Sequence, residues 1–277
     1  MATGIVVRTL APLLKDKRSD PAVVVCDEQG DYAVSLLSGH LGGGNTLARQ
    51  VAAITGGQAV ITTASDVQGK VALDLWARDL SLVVADKKGL TRAMGKLVNR
   101  GWVTLYSAYP LPKLPAEIQR QDQPEDADLV ISVATDLEIS GGLLYPQALV
   151  AGIGCNRNTP AAEIEAALRQ ACAENNLARQ AIKSLASIDL KSDEQGLLEF
   201  SRRNRLPIEF FHRDRLNGVE GVSTSAVVLK ATGARGVAEP AAVLASGGGR
   251  LLVKKMKWTN VTVAIAEIQD PWKDSHG

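Results

Sequence analysis

The apolar positions of this chain fall into short runs that switch between two spacings. From Ile5, IVVRTLAPLL places its apolar residues as one face of a helix does. Two β-rich runs follow, AVVVCD (22–27) and YAVSLL (32–37), separated by the turn EQGD. NTLARQVAAIT predicts a helix with Asn45 as its N-cap and a stop at Gly56-Gly57, and AVITT (59–63) predicts another buried strand. Strands alternating with helices in this way predict α/β layers.

The middle of the chain reads as more helical. KVALDLWARDLSLVV and GLTRAMGKLVNRG predict two helices, and WVTLY (102–106) predicts a strand. The stretch from Pro110 to Asp128 holds four prolines and many charges, which predicts a loop before the strand DLVISVAT (128–135). A second α/β unit opens with ALVAGIGC, a strand ending in Gly-x-Gly. The helix after it is predicted to take Thr159 as N-cap and Pro160 as its first residue. SDEQGLLEFSRRN begins like a capping box from Ser192 to Gln195, PIEFF predicts a short strand, and RLLVKKMKW with VTVAIAEI predicts a closing hairpin. The fold class is therefore α/β, two α/β units joined by a more variable middle segment. Its parts are an N-terminal region over 1–66, a middle region over 67–146, a C-terminal domain over 147–270 and a polar, frayed tail over 271–277.

Composition narrows the function classes. The 277 residues are 45% hydrophobic and 22% charged, ordinary for a globular protein with a substantial core. A net charge of +1 gives no reason to expect nucleic acid or a membrane surface. Aromatics at 4% are too few for base-stacking platforms. Cys26, Cys155 and Cys172 have neither CxxC nor metal-ligand spacing, so a reducing cytoplasm is the expected compartment. No apolar run reaches the roughly 18 residues that span a bilayer.

Three glycine-rich junctions carry the candidate chemistry. SLLSGHLGGGNTLARQ (35–50) fails the P-loop pattern, because Gly44 is followed by Asn45 and Thr46, and GHLGGGN does not fit GxGxxG. Its glycines still let backbone approach a ligand, a helix N-terminus follows, and His40 can move a proton near neutral pH. A tight strand-to-helix turn explains the same residues. In GIGCNRNTP, Arg157 suits a carboxylate, and Cys155 has no histidine near it in sequence, which favours a structural thiol. In AEPAAVLASGGGRLLVKKMKW, Glu239 opens a helix, which its charge alone would favour. Alternation puts Lys255 and Lys257 on one strand face and Lys254 on the other, as anion binders or as lysines guarding a sheet edge. No nucleophile elbow, zinc motif or paired-carboxylate signature is present.

Taken together these stretches resemble the CbiG family, the cobalt-precorrin-5A hydrolases of anaerobic cobalamin biosynthesis. ATGIVVRTLAPLLKDKRSDPAVVV and SLLSGHLGGGNTLAR resemble its N-terminal region. GIGCNRNTPAAEIEAAL, LASIDLKSDEQGLLEFS and GVAEPAAVLASGGGRLLVKKMKWTNVTVAIAE resemble its C-terminal domain. The resemblance implies a cobalt-corrinoid substrate whose δ-lactone is opened by water, with release of acetaldehyde and formation of cobalt-precorrin-5B. The substrate brings its own cobalt, so no cofactor and no protein metal ligands are expected. Its acetates and propionates call for helix N-termini and basic side chains.

On that reading His40 is the general acid or base, with Glu239 a second acid–base candidate. Ser38 and the backbone of Gly42, Gly43, Gly44 and Asn45 contact the substrate and its developing oxyanion. Arg157, Lys254 and Lys255 hold peripheral carboxylates. The expected partner is this small molecule, without nucleic acid or membrane, in a chain that could form a homo-oligomer. Members of the family usually carry a strand–helix–strand region ahead of the motif in MATGIVVR. The chain opens within that motif, so the start is misassigned, the gene is a fragment, or this version is shortened; a lost strand would leave an unpaired sheet edge and expose a face of the helix from Ile5. Two other readings stand beside the hydrolase: a non-catalytic corrinoid-binding or carrier protein, and a nucleotide-binding protein.

Overall fold

The computed structural model describes residues 1–16, 19–39, 42–62 and 71–273. Its strands form three sheets in chain order. The first is small. Strand β1 (Val23–Cys26) pairs antiparallel with β2 (Tyr32–Leu37), which pairs parallel with β3 (Gln58–Val60). Helix α2 (Gly44–Thr55) buries Ala48 and Ala52 against Ala33, Val24, Cys26 and Ala59. Helix α1 (Thr3–Leu10) buries none of its residues, and Ile5 and Val7 are 54% and 46% exposed.

The middle sheet runs in the order β4, β8, β7, β5, β6, built from Val83–Val84, Gly142–Tyr145, Leu129–Ile131, Val103–Ser107 and Ile118–Arg120. Only β4 runs antiparallel to its neighbour. Helix α3 (Leu73–Asp79) and helix α4 (Lys87–Arg100) cover it, α4 through Leu90, Ala93 and Leu97. The single long helix predicted over 70–84 is therefore corrected. Ser81 takes a left-handed φ of 54°, the chain reverses, and the β-branched pair Val83–Val84 joins the sheet edge beside Leu144 and Tyr145. The Pro110–Asp128 segment is likewise not all loop, since it contributes β6.

The third sheet positions the chemistry of the C-terminal half. Strands β9 (Leu149–Cys155), β10 (Ile182–Ile188) and β11 (Ile208–Phe211) are parallel. The hairpin of β12 (Leu251–Lys257) and β13 (Val261–Glu267) docks antiparallel on β9, giving the order β11-β10-β9-β13-β12. Helix α5 (Ala161–Glu174) packs Ile164, Leu168, Ala171 and Cys172 inward at helical spacing. Helix α6 (Gln195–Asn204) adds Leu197 and Phe200. The short helices α7 (Arg213–Asn217) and α8 (Ala226–Thr232) precede α9 (Ala238–Ala245), which crosses β9 and β10. This crossing depends on small residues: a Cβ on Gly152 would sit 1.8 Å from the Ala238 carbonyl oxygen. Such contact lets β9 bury both faces, which is why it reads as an unbroken apolar run.

The middle and C-terminal sheets share one core, from Leu73 and Leu105 through Leu149 to Ile164 and Phe200. Of the tail predicted as frayed over 271–277, residues 274–277 lie outside the described residues, and the part over 271–273 is corrected. Trp272 is buried, and its indole N–H donates to the Leu80 carbonyl at 2.8 Å. Two helix starts also differ from expectation. Helix α5 begins at Ala161 with Pro160 as its cap, leaving Thr159 to bond Asn156 instead. Ser192 ends a 3-10 turn, so α6 is preceded by Glu194 and not by a serine capping box.

Candidate functional site

The loop between β2 and α2 closes on itself. The Gly44 N–H donates to the Ser38 carbonyl at 3.1 Å and the Asn45 N–H to the Gly39 carbonyl at 2.9 Å. Ser35 Oγ donates to Asn45 Oδ1 at 2.7 Å, and Ser38 Oγ to the Asp20 carbonyl at 2.8 Å. Asn45 therefore lies inside α2, buried, while Gly43 occupies the cap at φ 79°. That corrects the predicted Asn45 cap, and it removes two of the proposed oxyanion donors, since the Gly44 and Asn45 N–H groups serve the loop. Gly42 and Gly43 keep backbone N–H groups without a described partner. The glycines are needed for packing: a Cβ on Gly44 would lie 2.7 Å from the Leu37 carbonyl oxygen, and one on Gly42 would lie 2.5 Å from Ser38 Cβ. Ser38 itself is held at a left-handed φ of 52°, a strained setting for a non-glycine residue. His40 lies outside the described residues.

At the carboxyl end of β9 a second cluster forms, the edge of a parallel sheet where ligands commonly bind. Arg157 donates to Asp193 Oδ1 and, at 3.0 Å, to the Leu190 carbonyl. Its hydrogen bond to Asp193 holds the guanidinium in its charged form and pulls the Asp193 carboxyl below its ordinary value. Glu194 is buried, accepts from the Asn158 N–H at 2.7 Å, and turns Oε2 toward Lys191 at 3.5 Å and Arg157 at 3.7 Å. Arg157 thus meets carboxylates of its own chain, and a ligand carboxylate would share or replace the exposed Asp193. Burial pushes the Cys155 thiol up to about 11, so it stays protonated at neutral pH and serves packing, not nucleophilic attack.

Glu239 and the lysines of β12 form a third cluster. Glu239 is 2% exposed and accepts three hydrogen bonds, from the Ser223 N–H, from Ser223 Oγ at 3.0 Å and from the Lys255 N–H at 2.8 Å. Burial by itself would raise its pKa, but the bonds from Ser223 and Lys255 outweigh burial and lower it. A carboxylate so occupied is a poor proton carrier. The lysines do not alternate as predicted. The register slips between Val253 and Met256, so an extra residue bulges from β12, leaving Lys254 and Lys257 exposed and Lys255 half-buried.

Glu239, Lys254 and Lys255 therefore gather at one edge of the third sheet, and Arg157 sits at the end of its central strand. Ser38 and Gly42–Asn45 lie at the β2–α2 junction beside the first sheet. Sequence reading missed Ser223, Asp193 and Glu194; the first stands in the Gly/Ser/Thr-rich run GVEGVSTS, and the other two were absorbed into a supposed capping box. A cavity of about 410 Å³ lies under Met1 against Val25, Val34 and Val60, and a polar one of about 220 Å³ lies beside Asp128 and Lys96. Neither is lined by a residue predicted for the site. Among the described residues no group of three or more His, Cys, Asp or Glu is placed to hold a metal. No helix of the described residues is long and apolar enough to cross a membrane.

Comparison with known proteins gives two family-model matches. Residues 1–66 match "Cobalamin synthesis G N-terminal" and residues 149–266 match "Cobalamin synthesis G C-terminus". A cobalt-precorrin-5A hydrolase of Priestia megaterium is 37% identical over 288 aligned residues, covering 97% of this chain and 77% of the relative. A protein of the same name from Salmonella typhimurium is 36% identical, covering 95% of this chain and 79% of the relative. A crystal structure of CobE, a protein from the cobalamin biosynthetic pathway, is 36% identical and covers 43% of this chain and 89% of CobE, with a TM-score of 0.41.

Proposed function

We propose that this chain, which belongs to the CbiG family, is a cobalt-precorrin-5A hydrolase. The observation that carries the reading is the pair of hydrolase relatives at 37% and 36% identity over nearly the whole chain. Water opens the δ-lactone of the cobalt-corrinoid, the two-carbon unit leaves as acetaldehyde, and cobalt-precorrin-5B remains. The cobalt belongs to the substrate, and the chain supplies binding, orientation and proton transfer.

The chemistry of the exposed groups supports this division of work. Lys254 and Lys257 point outward from β12 with no ion pair to a described carboxylate, as binding a polyanionic ring margin requires. Arg157 adds a planar fork that exchanges Asp193 for a substrate carboxylate. Of the backbone donors proposed at the first loop, the Gly42 and Gly43 N–H groups have no partner among the described residues, and His40 is the candidate acid or base near them in sequence. Purified protein incubated with cobalt-precorrin-5A tests the reading through acetaldehyde. Release at catalytic turnover supports the hydrolase. Binding of the corrinoid without release would make the chain a carrier.

A further inference from the structure

Glu239 opens α9, yet its side chain reaches two other segments. One oxygen takes the Ser223 N–H, and the other takes Ser223 Oγ and the Lys255 N–H. Ser223 lies in the segment 218–225, a strap between α7 and α8. The ends of the strap are tied to the flanking helices, by the Gly218 and Val219 N–H groups to α7 and by Ser225 to α8; in addition the Ser225 N–H donates to the Arg235 carbonyl at 2.7 Å, and Gly236 packs so closely that a Cβ there would lie 2.8 Å from the Ser223 carbonyl oxygen. Thr224, Gly221 and Glu220 are exposed.

Lys255 lies in the β12 bulge, between the paired positions Val253↔Ile265 and Met256↔Val263. A bulge leaves backbone groups outside the ladder, and a buried N–H without an acceptor is costly. Glu239 Oε1 supplies that acceptor. One buried carboxylate thus fixes both the strap and the stretch of β12 that presents Lys254 and Lys255. A carboxylate suits this, because three donors converge on its two oxygens and neither backbone N–H can accept a hydrogen bond from a Gln amide N–H₂. A glutamine would turn an N–H₂ toward either the Ser223 N–H or the Lys255 N–H.

We propose that Glu239 is a positioning residue: its carboxylate latches the strap 218–225 to the Lys254–Lys255 bulge and so sets the substrate-binding edge of the third sheet. This rests on the hydrolase reading for the identity of the substrate, and on geometry alone for the latch. Glu239 does not exchange protons with the reacting lactone.

Hydrogen exchange measured by mass spectrometry, without substrate, tests the latch. Glu239→Gln is expected to speed exchange in peptides covering 218–226 and 253–256 by about tenfold or more, with the β9 core peptide unchanged. Ser223→Ala, which removes one of the three donors and leaves the fold intact, is expected to shift the strap peptide in the same direction by less. Should Glu239→Gln not fold, the Ser223→Ala result decides. With cobalt-precorrin-5A, both variants raise KM by about tenfold for each ~1.4 kcal/mol of lost positioning, and kcat and its pH profile stay near the parent's. Unchanged strap exchange overturns the latch. A kcat collapse with loss of one limb of the pH profile would make Glu239 the proton carrier and overturn the positioning role. If the parent itself releases no acetaldehyde, the hydrolase reading falls while the exchange data still decide the latch.

Discussion

The Tyr109 hydroxyl donates to Glu267 Oε1 at 2.8 Å, joining the end of β5 to the end of β13 across 158 residues of sequence. The phenol is buried, and Glu267 is shared with Arg250 at 3.3 Å. This bond links the middle sheet to the third one where their cores merge. Tyr109→Phe removes it and leaves Glu267 paired with Arg250, so it should cost about 1–2 kcal/mol in urea unfolding.

The same pair has a pH signature. Burial, followed by the bond to Glu267, pushes the Tyr109 phenol far above its ordinary value of 10.0. Folded protein then holds a proton that unfolded chain gives up above about pH 10, so stability falls as pH rises past that point. Alkaline unfolding should start at higher pH in Tyr109→Phe once the two proteins are compared relative to their neutral-pH stabilities. Parallel alkaline profiles for the two would contradict the assignment.

Asp128 works in the opposite direction. Burial would raise its pKa, but bonds from Lys96 at 2.6 Å and from Thr104 N–H and Oγ1, with the charge of Arg100, lower it overall. Its contribution is therefore present above the ordinary carboxylate pKa and is lost as pH falls through the depressed folded value. Asp128→Asn should cost about 2–3 kcal/mol at neutral pH. The gap between variant and parent should close in acid unfolding curves.

The first loop separates two kinds of glycine. Gly43 has a left-handed φ of 79° and open space around its Cβ position, so Gly43→Ala should cost only about 1 kcal/mol. Gly44 faces the Leu37 carbonyl and Ser35 Oγ, and Gly44→Ala must push the β2–α2 junction apart at a cost above about 2 kcal/mol. Comparing thermal unfolding of the two tests whether packing, beyond backbone freedom, fixes this loop.

Much of the architecture was legible because it rests on local pattern. The helical spacing of Ile164, Leu168 and Cys172, and the hairpin around Thr259-Asn260, appear as the periods of their segments demand. What could not be read depends on contacts distant in sequence. The reversal at Ser81 has no glycine to announce it, and Trp272 is buried in a core built by distant segments, with its indole bonded to the Leu80 carbonyl. At the candidate site the composition pointed to Arg157, Glu239 and the lysines, but not to their partners. Asp193 and Ser223 approach from loops 36 and 16 residues away, and no spacing rule encodes such meetings.

Arg157 and Asp193 give a competition that kinetics can read. Arg157→Ala should raise KM for the corrinoid, while Asp193→Asn, which frees the guanidinium, should lower KM or leave it unchanged. Lys254→Ala should raise KM by about fivefold, the effect of ~1 kcal/mol, and the parent's KM should climb with ionic strength as an exposed charge pair requires. A KM indifferent to salt and to all three substitutions would remove this edge from substrate binding.

Acetaldehyde measured from purified protein and cobalt-precorrin-5A tests the central claim most directly. Catalytic release is expected, one acetaldehyde for each cobalt-precorrin-5B formed and many per protein molecule. Tight corrinoid binding with no acetaldehyde above the protein-free rate would contradict it.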